Sequence, residues 1–306
     1  MLKLKELSKK ELMITGGHRL CPGCGAPIIV KEVLQAIDFP VVVGVSTGCL
    51  EVSTTLFPTT AWKVPFIHNA FENNAVTISG VEAAYRALKR RKKINEEFKF
   101  IVFGGDGGTY DIGLQSLSGA VERGHNFLYV CYDNEAYMNT GIQCSSATPR
   151  GANTSTTPVG KINNGKKRYK KDITEIMVAH NIPYVAQASP YHWKDLMKKV
   201  RKAISIEGPA FLNVLSVCPR GWRIEEDRGI EITKLAVDTN FWPLYEVENG
   251  EYHINYIPKD KKPISAWLKS QGRFKHLFLE ENIYIIEDIQ KEIDKRWQNL
   301  LKKAGE

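Results

Sequence analysis

Two cysteines near the start of the chain are spaced as metal or redox ligands. They are Cys21 and Cys24, in the stretch LCPGCGAP. A CxxC pair can bind zinc, form a reversible disulfide or ligate an iron–sulfur cluster, and the motif alone does not choose among them. The chain contains six cysteines. We expect a cytoplasmic protein with this many cysteines to use some of them in metal or redox chemistry.

A second set of candidate residues follows two apolar runs. Asp106 lies in the glycine-rich run GGDGG after KFIVF, and Asn134 follows NFLYVCYD. If both runs are parallel strands, their ends open onto one crevice. Glycines let backbone N–H groups approach phosphate oxygens, and oxygen donors such as Asp106 and Asn134 suit Mg²⁺. Each half alone would also fit a tight turn or a polar strand end, and a dinucleotide-binding GxGxxG is not met.

The elements that must position these residues alternate between strands and helices. Apolar β-branched runs predict strands at 39–49, 99–108, 126–136, 182–189 and 208–219. Helical spacing of apolar residues predicts helices at 25–37, 77–93, 111–124, 193–205 and 285–303. This order predicts an α/β fold with a mostly parallel sheet flanked by helices.

We predict a cofactor-binding domain over 1–225 and a C-terminal extension over 226–306, because residues 220–275 lose the alternation. This extension is expected to be a partly irregular arm with a terminal helix, packed on the same domain or on a partner subunit. A stripe of apolar residues in the terminal helix is expected to serve packing: Ile285, Ile289, Ile293, Trp297 and Leu300.

Composition excludes some classes of protein. No apolar run approaches the about 18–20 residues of a membrane span, and the first 17 residues are too charged for a secretory signal, so we expect a cytoplasmic protein without membrane contact. The net charge is +8. The basic runs KRRKK, KKRYKK and KKVRK are read mainly as solvated surface. No zinc-finger or RNA-binding signature supports nucleic-acid binding.

Several motifs together resemble one protein family. In chain order they are GHRLCPGCG, STGCLEV, TAWKVPFIHNAFEN, GDGGTYDIGLQSLSGAVERGH, YDNEAYMNTGIQ, SSATP and TTPVGK. They are similar to the β subunits of pyruvate:ferredoxin oxidoreductases (pyruvate synthases), in the 2-oxoacid:ferredoxin oxidoreductase superfamily. GDG followed some 25–30 residues later by Asn also resembles the diphosphate-binding motif of thiamine diphosphate enzymes. The resemblance runs from about residue 16 to about residue 225.

The resemblance implies three cofactors: thiamine diphosphate, Mg²⁺ and a [4Fe–4S] cluster. The cluster ligands that it implies are Cys21, Cys24, Cys49 and Cys218. The Mg²⁺ ligands that it implies are Asp106, Asn134 and the carbonyl oxygen of Ala136. Thiamine diphosphate contacts are implied for Cys49, Gly105, Asp106, Gly107, Gly108 and the segment Asn134, Glu135, Ala136, Tyr137, Met138 and Asn139. Asn139 is the one implied catalytic residue, as a polar side chain that faces the substrate.

The family's activity is the reversible oxidative decarboxylation of a 2-oxoacid, with coenzyme A as acyl acceptor and ferredoxin as electron acceptor. The resemblance therefore implies an enzyme that works only with partners. An α subunit would supply the glutamate that binds the aminopyrimidine ring. Small γ and δ subunits are also implied, and the basic patches could meet coenzyme A, ferredoxin or a partner subunit.

Alternatives remain open at this point. Pyruvate is the expected substrate, but another 2-oxoacid or oxalate fits the same chemistry. Cys144 stands where relatives often carry a basic residue, which could alter specificity or redox sensitivity. The four cysteines could instead hold zinc. A non-catalytic electron-transfer subunit is the second alternative, although the set Asp106, Asn134 and Asn139 argues against it. Cys131, inside an apolar strand, is expected to be buried packing.

Overall fold

The computed structural model describes residues 4–305, and eight strands of this part of the chain form one sheet. The strands are β1 (Val41–Ser46), β2 (Phe66–Asn69), β3 (Lys99–Gly105), β4 (Leu128–Asp133), β5 (Tyr184–Ala188), β6 (Ala210–Leu215), β7 (Leu244–Glu248) and β8 (Glu251–Tyr256). Their spatial order is β2-β1-β3-β4-β6-β5-β7-β8. Neighbours from β2 to β5 are parallel, whereas β7 and β8 join antiparallel at one edge.

Helices cover both faces of the sheet. They are α1 (Leu4–Leu7), α2 (Gly25–Gln35), α3 (Cys49–Thr54), α4 (Asn74–Arg90), α5 (Leu114–Glu122), α6 (Ile173–Val178), α7 (Trp193–Ser205), α8 (Pro219–Trp222), α9 (Gly229–Asp238), α10 (Ile264–Lys269) and α11 (Ile283–Ala304). Shorter 3₁₀ segments cover Pro190–His192, Gly272–Phe278 and Glu280–Asn282, and a π-helical turn covers Gly107–Ile112. The mostly parallel α/β architecture predicted from the sequence is confirmed.

The central strands are apolar throughout because both of their faces are covered. Every residue of β4 and of β6 is buried. One core layer packs beneath α2 and α7, and a second lies beneath α4, α5 and α6. Cys131 of β4 is fully buried in the second layer, which confirms its predicted packing role. The sheet is therefore a rigid support for the loops at its carboxyl edge.

Residues 220–275 are more regular than the sequence pattern indicates. They contain α9, α10, β7 and β8, and β7 pairs with β5 of the main sheet. The two-residue loop between β7 and β8 is Asn249–Gly250, and both residues have positive φ, as a type I′ hairpin turn requires. This Asn–Gly pair between two short apolar alternations was an available hairpin signal.

The apolar stripe of α11 is buried, as its spacing predicts. Its five members, Ile285, Ile289, Ile293, Trp297 and Leu300, are each between 5% and 8% exposed. The first three join a core cluster with residues of β6, α9 and α10. The C-terminal helix thus packs on the same body as the strands. Within residues 4–305, no helix combines the length and the apolar character needed to cross a membrane.

Candidate functional site

The candidate site lies at the carboxyl edge of the sheet, where β3 and β4 end side by side. These strands are parallel, and their register pairs Gly105 with Tyr132. Asp106 and Asn134 follow as the first residues of two adjacent loops, in the crevice expected for a parallel sheet. The main-chain N–H of Asn134 donates to Asp106 Oδ1 at 3.3 Å. The structure therefore brings together the two residues on which the sequence argument depends.

Three oxygens converge between these loops. The side-chain oxygen of Asn134 faces two other oxygens, Asp106 Oδ1 and the Ala136 carbonyl oxygen. A 180° turn of the amide would place its nitrogen 2.8 Å from both of them. Oxygens that face each other this closely need a donor or a cation between them. Turning the amide supplies N–H donors. If the amide keeps its present orientation, the three oxygens form a set of hard ligands of the kind that Mg²⁺ binds. These residues therefore fit a divalent cation.

The carboxylate of Asp106 is held on its other side as well. Ser145 Oγ donates to Asp106 Oδ2 at 2.6 Å, and Asp106 is only 1% exposed. Burial and then the negative charge of Asp133 raise the pKa of Asp106 well above its usual range. A cation bound at this point would offset both effects. The environment is therefore suited to a bound positive charge.

The glycine turn after β3 brings its backbone close to neighbouring side chains. A Cβ atom added to Gly107 would lie 2.3 Å from a ring carbon of Tyr137, and one added to Gly108 would lie 3.1 Å from the Phe71 carbonyl oxygen. Only glycine fits at 107 without displacing the aromatic ring. The π-helical turn starts here, so main-chain N–H groups of its first residues are available to an anion. This agrees with a diphosphate next to the cation site.

In the segment after β4, some side chains are buried in the fold and others lie at the crevice. The Glu135 side chain is fully buried and binds Lys170 and Arg273, so a cofactor contact from Glu135 would have to come from its main chain. Tyr137 donates its hydroxyl hydrogen to Asp111 Oδ2 at 3.0 Å. The Met138 thioether packs against Gly221 in the loop that follows β6. Met138 thus packs beside the loop of one predicted cluster ligand, Cys218.

Asn139 is exposed and lies beside a cysteine. Burial raises the pKa of Cys49, and a hydrogen bond between its side chain and that of Asn139 opposes the rise. Cys49 is the first residue of α3, directly after β1. Asn139, which the resemblance implies faces the substrate, and Cys49, an implied contact of the cofactor, are therefore neighbours.

The four predicted cluster cysteines are electrostatic neighbours. Burial raises the pKa of Cys24 to about 12, with further increases from the charges of Cys218, Cys49 and Cys21. Burial likewise raises the pKa of Cys218 to about 11, and Cys49 and Cys21 add to it. Gly25 N donates to the Val217 carbonyl oxygen at 2.9 Å, which joins the CxxC loop to the end of β6.

These thiols are not packed around a single point. Within residues 4–305, no three side chains of His, Cys, Asp or Glu lie close enough together to hold one metal ion. A single zinc ion would need its sulfurs about 2.3 Å from one centre. A cluster distributes its thiolates over several iron atoms and therefore requires a wider arrangement.

A buried charge network lies behind the loops of the site. Asp133, which is fully buried, accepts a hydrogen bond from Tyr110 at 2.5 Å and pairs with Lys170 Nζ at 2.6 Å. Burial alone would lower the pKa of Lys170, but Asp133 and Glu135 outweigh it and raise that pKa. Lys170 belongs to the run KKRYKK, so the solvated-surface interpretation is wrong for this residue.

Lys166, in the same basic run, is also buried. It is 8% exposed, and its Nζ donates to three carbonyl oxygens, those of Ser145, Ser146 and Thr148. Thr148 Oγ1 in turn donates to the Glu135 carbonyl oxygen at 2.7 Å. The loop 145–148 therefore joins the ends of β3 and β4, and Lys166 fixes this loop. The motif SSATP includes this loop, but its sequence alone does not reveal these roles.

Comparison with known proteins identifies the family. The chain matches the family described as thiamine pyrophosphate enzyme, C-terminal TPP binding domain, over residues 46–214. Pyruvate synthase subunit PorB of Thermotoga maritima is 55% identical over 97% of this chain and 94% of that protein. PorB of Methanocaldococcus jannaschii is 52% identical over 94% and 96%. Ketoisovalerate oxidoreductase subunit VorB of Pyrococcus abyssi is 45% identical over 94% and 92%.

A solved structure has the same fold. It is the 2-oxoglutarate:ferredoxin oxidoreductase of Magnetococcus marinus with 2-oxoglutarate, coenzyme A and succinyl-CoA bound. The TM-score is 0.57 at 21% identity, over 76% of this chain and 80% of that chain. The match to the family spans the β3 and β4 loop residues, and near-full-length relatives are about half identical. The chain therefore belongs to the thiamine pyrophosphate enzymes and, within them, to the PorB or β-subunit family of pyruvate:ferredoxin oxidoreductases (pyruvate synthases).

Proposed function

We propose that this chain is the diphosphate-binding β subunit of a pyruvate:ferredoxin oxidoreductase, which converts pyruvate and coenzyme A reversibly to acetyl-CoA and CO₂ and passes the two released electrons to ferredoxin. The observation that supports this most directly is the convergence of the Asp106 carboxylate, the Asn134 side-chain amide and the Ala136 carbonyl oxygen at the ends of β3 and β4. A cation there would join the protein to a diphosphate. The PorB relatives supply the substrate class.

The roles of the chain's own residues follow from their positions. Asp106, Asn134 and the Ala136 carbonyl oxygen would hold Mg²⁺, and Gly105–Gly108 would bring N–H groups to the diphosphate. The segment 134–139 and Cys49 would line the rest of the cofactor. When bound, thiamine diphosphate accepts the electron pair released as CO₂ leaves a 2-oxoacid. Asn139, exposed beside Cys49, would orient the substrate as it reacts.

The four cysteines would hold a [4Fe–4S] cluster beside this site. Cys21, Cys24, Cys49 and Cys218 are thiols, the natural ligands of such clusters. After burial, which has the largest effect, the charges of Cys49 and Cys21 raise the pKa of both Cys24 and Cys218, and this proximity supports a shared site. Cys49 would then belong to both sites, which places the cluster where it can accept electrons from the cofactor.

The enzyme would require partner subunits. An α subunit would supply the aminopyrimidine glutamate, γ and δ subunits would complete the complex, and ferredoxin would accept electrons in the cytoplasm. Both PorB and VorB relatives are named as subunits, which supports an assembly. The VorB relative also keeps a branched-chain 2-oxoacid as an alternative substrate, with oxalate as a further one because of Cys144.

The test uses the native complex, purified without oxygen. We expect iron, sulfide and thiamine in the complex, and coenzyme-A-dependent reduction of ferredoxin that is fastest with pyruvate in a panel with ketoisovalerate, 2-oxoglutarate and oxalate. A higher kcat/KM for another acid would replace pyruvate. Absence of thiamine and of the cluster would overturn the proposal.

Replacement of Asp106 tests the observation that supports the function most directly. Asp106→Ala should abolish Mg²⁺-dependent binding of thiamine diphosphate, measured by equilibrium dialysis, because the cation loses its one charged ligand in this proposed set. Asp260→Ala, which changes an exposed aspartate, serves as the control. Binding of thiamine diphosphate that is unchanged in Asp106→Ala would refute the cation site.

A further inference from the structure

Arg273 is a buried arginine that no part of the proposed reaction uses. It is 2% exposed and lies in the 3₁₀ segment Gly272–Phe278, 138 residues after Glu135 in the sequence. Its Nη2 binds Glu135 Oε2, and its Nε donates to Gln271 Oε1 at 2.9 Å. A buried guanidinium is retained only where it is paired in good geometry. The question is what this pairing achieves.

One end of the contact is Glu135, the middle residue of the turn Asn134–Ala136, which carries two of the proposed cation ligands. Glu135 has φ of +70°, a left-handed conformation that is uncommon for a residue with a side chain. Its neighbours on either side, Asn134 and Ala136, supply two of the three converging oxygens. The backbone angles of Glu135 therefore set the direction of both. Arg273 and Lys170 hold its carboxylate and thereby fix this conformation.

The other end of the contact is the loop of Cys218. The Arg273 guanidinium carbon lies 4.4 Å from the centre of the Trp222 ring, in cation–π contact. The main-chain N–H of Trp222 donates to the Cys218 carbonyl oxygen at 2.9 Å, and Gly221 N donates to Cys218 Sγ at 3.3 Å. Trp222 Nε1 donates to the Asn134 carbonyl oxygen at 2.9 Å. The Trp222 indole thus contacts Arg273 and the turn Asn134–Ala136, while the main chain of Trp222 bonds to the Cys218 loop.

We propose that Arg273 is a positioning residue that joins the Asn134–Ala136 turn to the Cys218 loop, so that the cation site and the cysteine site adopt their geometry together. It does this with one planar group, which binds Glu135 through its edge and Trp222 through its face. The proposal rests on the proposed function for the identity of the two bound groups. It assigns a role in the site to the C-terminal segment.

The test compares variants of the native complex, purified without oxygen. Arg273→Met should raise at least about tenfold the Mg²⁺ concentration that half-saturates thiamine diphosphate binding, because Glu135 loses its buried partner. Arg273→Lys keeps the charge but not the planar contact, so its Mg²⁺ requirement should lie between those of the wild type and Arg273→Met. Arg86→Met removes a half-exposed arginine far from the site and should not change the requirement.

A second measurement tests the connection itself. The electron paramagnetic resonance spectrum of the reduced cluster should change on addition of Mg²⁺ and thiamine diphosphate in the wild type and in Arg86→Met. In Arg273→Lys, this change should be lost while the cluster remains. A general loss of structure would instead remove the cluster signal itself, so this readout separates positioning from folding.

The outcomes are distinct. An Mg²⁺ requirement in Arg273→Met equal to that of Arg86→Met would overturn the proposal, and so would a spectral change in Arg273→Lys that matches the wild type. If Arg273→Met does not accumulate as folded protein, Arg273→Lys carries the same comparison, and an unchanged requirement there overturns the proposal. A wild-type complex that binds no thiamine diphosphate with Mg²⁺ would overturn the proposed function instead.

Discussion

At the scale of single residues, the site depends on side chains that restrain other side chains. No role was predicted for Ser145, Lys166 or Arg273, yet each holds a residue or loop beside the proposed cation site. Their bonds are short and buried, where hydrogen bonds to charged groups contribute most. The geometry of the proposed Mg²⁺ ligands is therefore set by neighbouring side chains as well as by the ligands themselves.

The hydroxyl of Ser145 provides a direct test. Ser145→Ala removes the 2.6 Å hydrogen bond to Asp106 and should weaken Mg²⁺-dependent binding of thiamine diphosphate about tenfold or more, since bonds to charged groups are worth about 1.5–3 kcal/mol. The measurement is equilibrium dialysis over a range of Mg²⁺ concentrations. Ser155→Ala is the control, because Ser155 is an exposed serine of a nearby loop. Equal binding in both variants would contradict the role of Ser145.

Glu32 of α2 gives a prediction about pH. Its Oε2 is buried without a hydrogen-bond partner in the described part of the chain, and burial raises its pKa from 4.5 to about 8. Between these values the folded chain keeps a proton that the unfolded chain releases. The contribution of Glu32 to the free energy of unfolding is therefore fully present below about pH 4.5. As the pH rises, this contribution falls by up to about 1.4 kcal/mol per pH unit, and it is lost above about pH 8.

Glu32→Gln should flatten this dependence, so that its free energy of unfolding rises relative to the wild type from pH 5 to pH 8. Urea unfolding at several pH values measures the difference. Glu287→Gln, on the exposed side of α11, should follow the wild-type curve. A Glu32→Gln curve parallel to the wild type would show that Glu32 titrates normally in the folded chain.

At the scale of elements, the strand ends and the turn after β3 place the site. Parallel pairing of β3 with β4 brings their loops together, and the π-helical turn at Gly107 places backbone N–H groups beside the cation site. The turn can pass this close to Tyr137 only because residue 107 has no side chain. The glycine-rich motif is therefore the tightly packed start of a helix.

Replacement of Gly107 tests this packing. In Gly107→Ala, the new methyl group would lie 2.3 Å from the Tyr137 ring, so the turn or the ring must move. We expect thiamine diphosphate affinity to fall at least about tenfold, a size typical of overpacking costs of about 1–3 kcal/mol. Gly160→Ala is the control, because nothing lies within 4 Å of a Cβ added there. Unchanged affinity in Gly107→Ala would mean that the turn adapts without cost.

At the scale of the whole molecule, the fold collects cysteines from three distant parts of the chain. The CxxC loop precedes α2, Cys49 follows β1, and Cys218 follows β6. Strands β1 and β6 are separated in the sheet by β3 and β4, so the proposed cluster site would span the edge of the sheet. The main-chain bond from Gly25 to Val217 closes this arrangement.

Cys218→Ser should therefore reduce the iron content of the purified complex and alter its visible absorption. Serine is a poor replacement for a thiolate ligand, and the other three cysteines cannot complete a four-cysteine set. Cys144→Ser changes a partly exposed cysteine outside this set and should retain the iron. An unaltered cluster spectrum in Cys218→Ser would refute that ligand assignment.

The sequence by itself determined the fold class and predicted that Asp106 and Asn134 lie together. Continuous apolar β-branched runs define buried parallel strands, and the polar residues that end them, Asp106 and Asn134, must then meet at one edge of the sheet. These are local patterns with a strict geometric consequence. The CxxC spacing likewise indicated a thiol site, although only the family resemblance suggested which group this site would hold.

Only the tertiary structure decided which residues hold the site in place. The run KKRYKK reads as solvated surface, yet Lys166 is buried and the Lys170 side chain is only 13% exposed, because their charges are satisfied by carbonyl oxygens and carboxylates from other loops. Arg273 lies 138 residues from its partner Glu135, and no local pattern connects them. Pairing of buried charges depends on the packed arrangement of the chain, which periodicity and spacing do not encode.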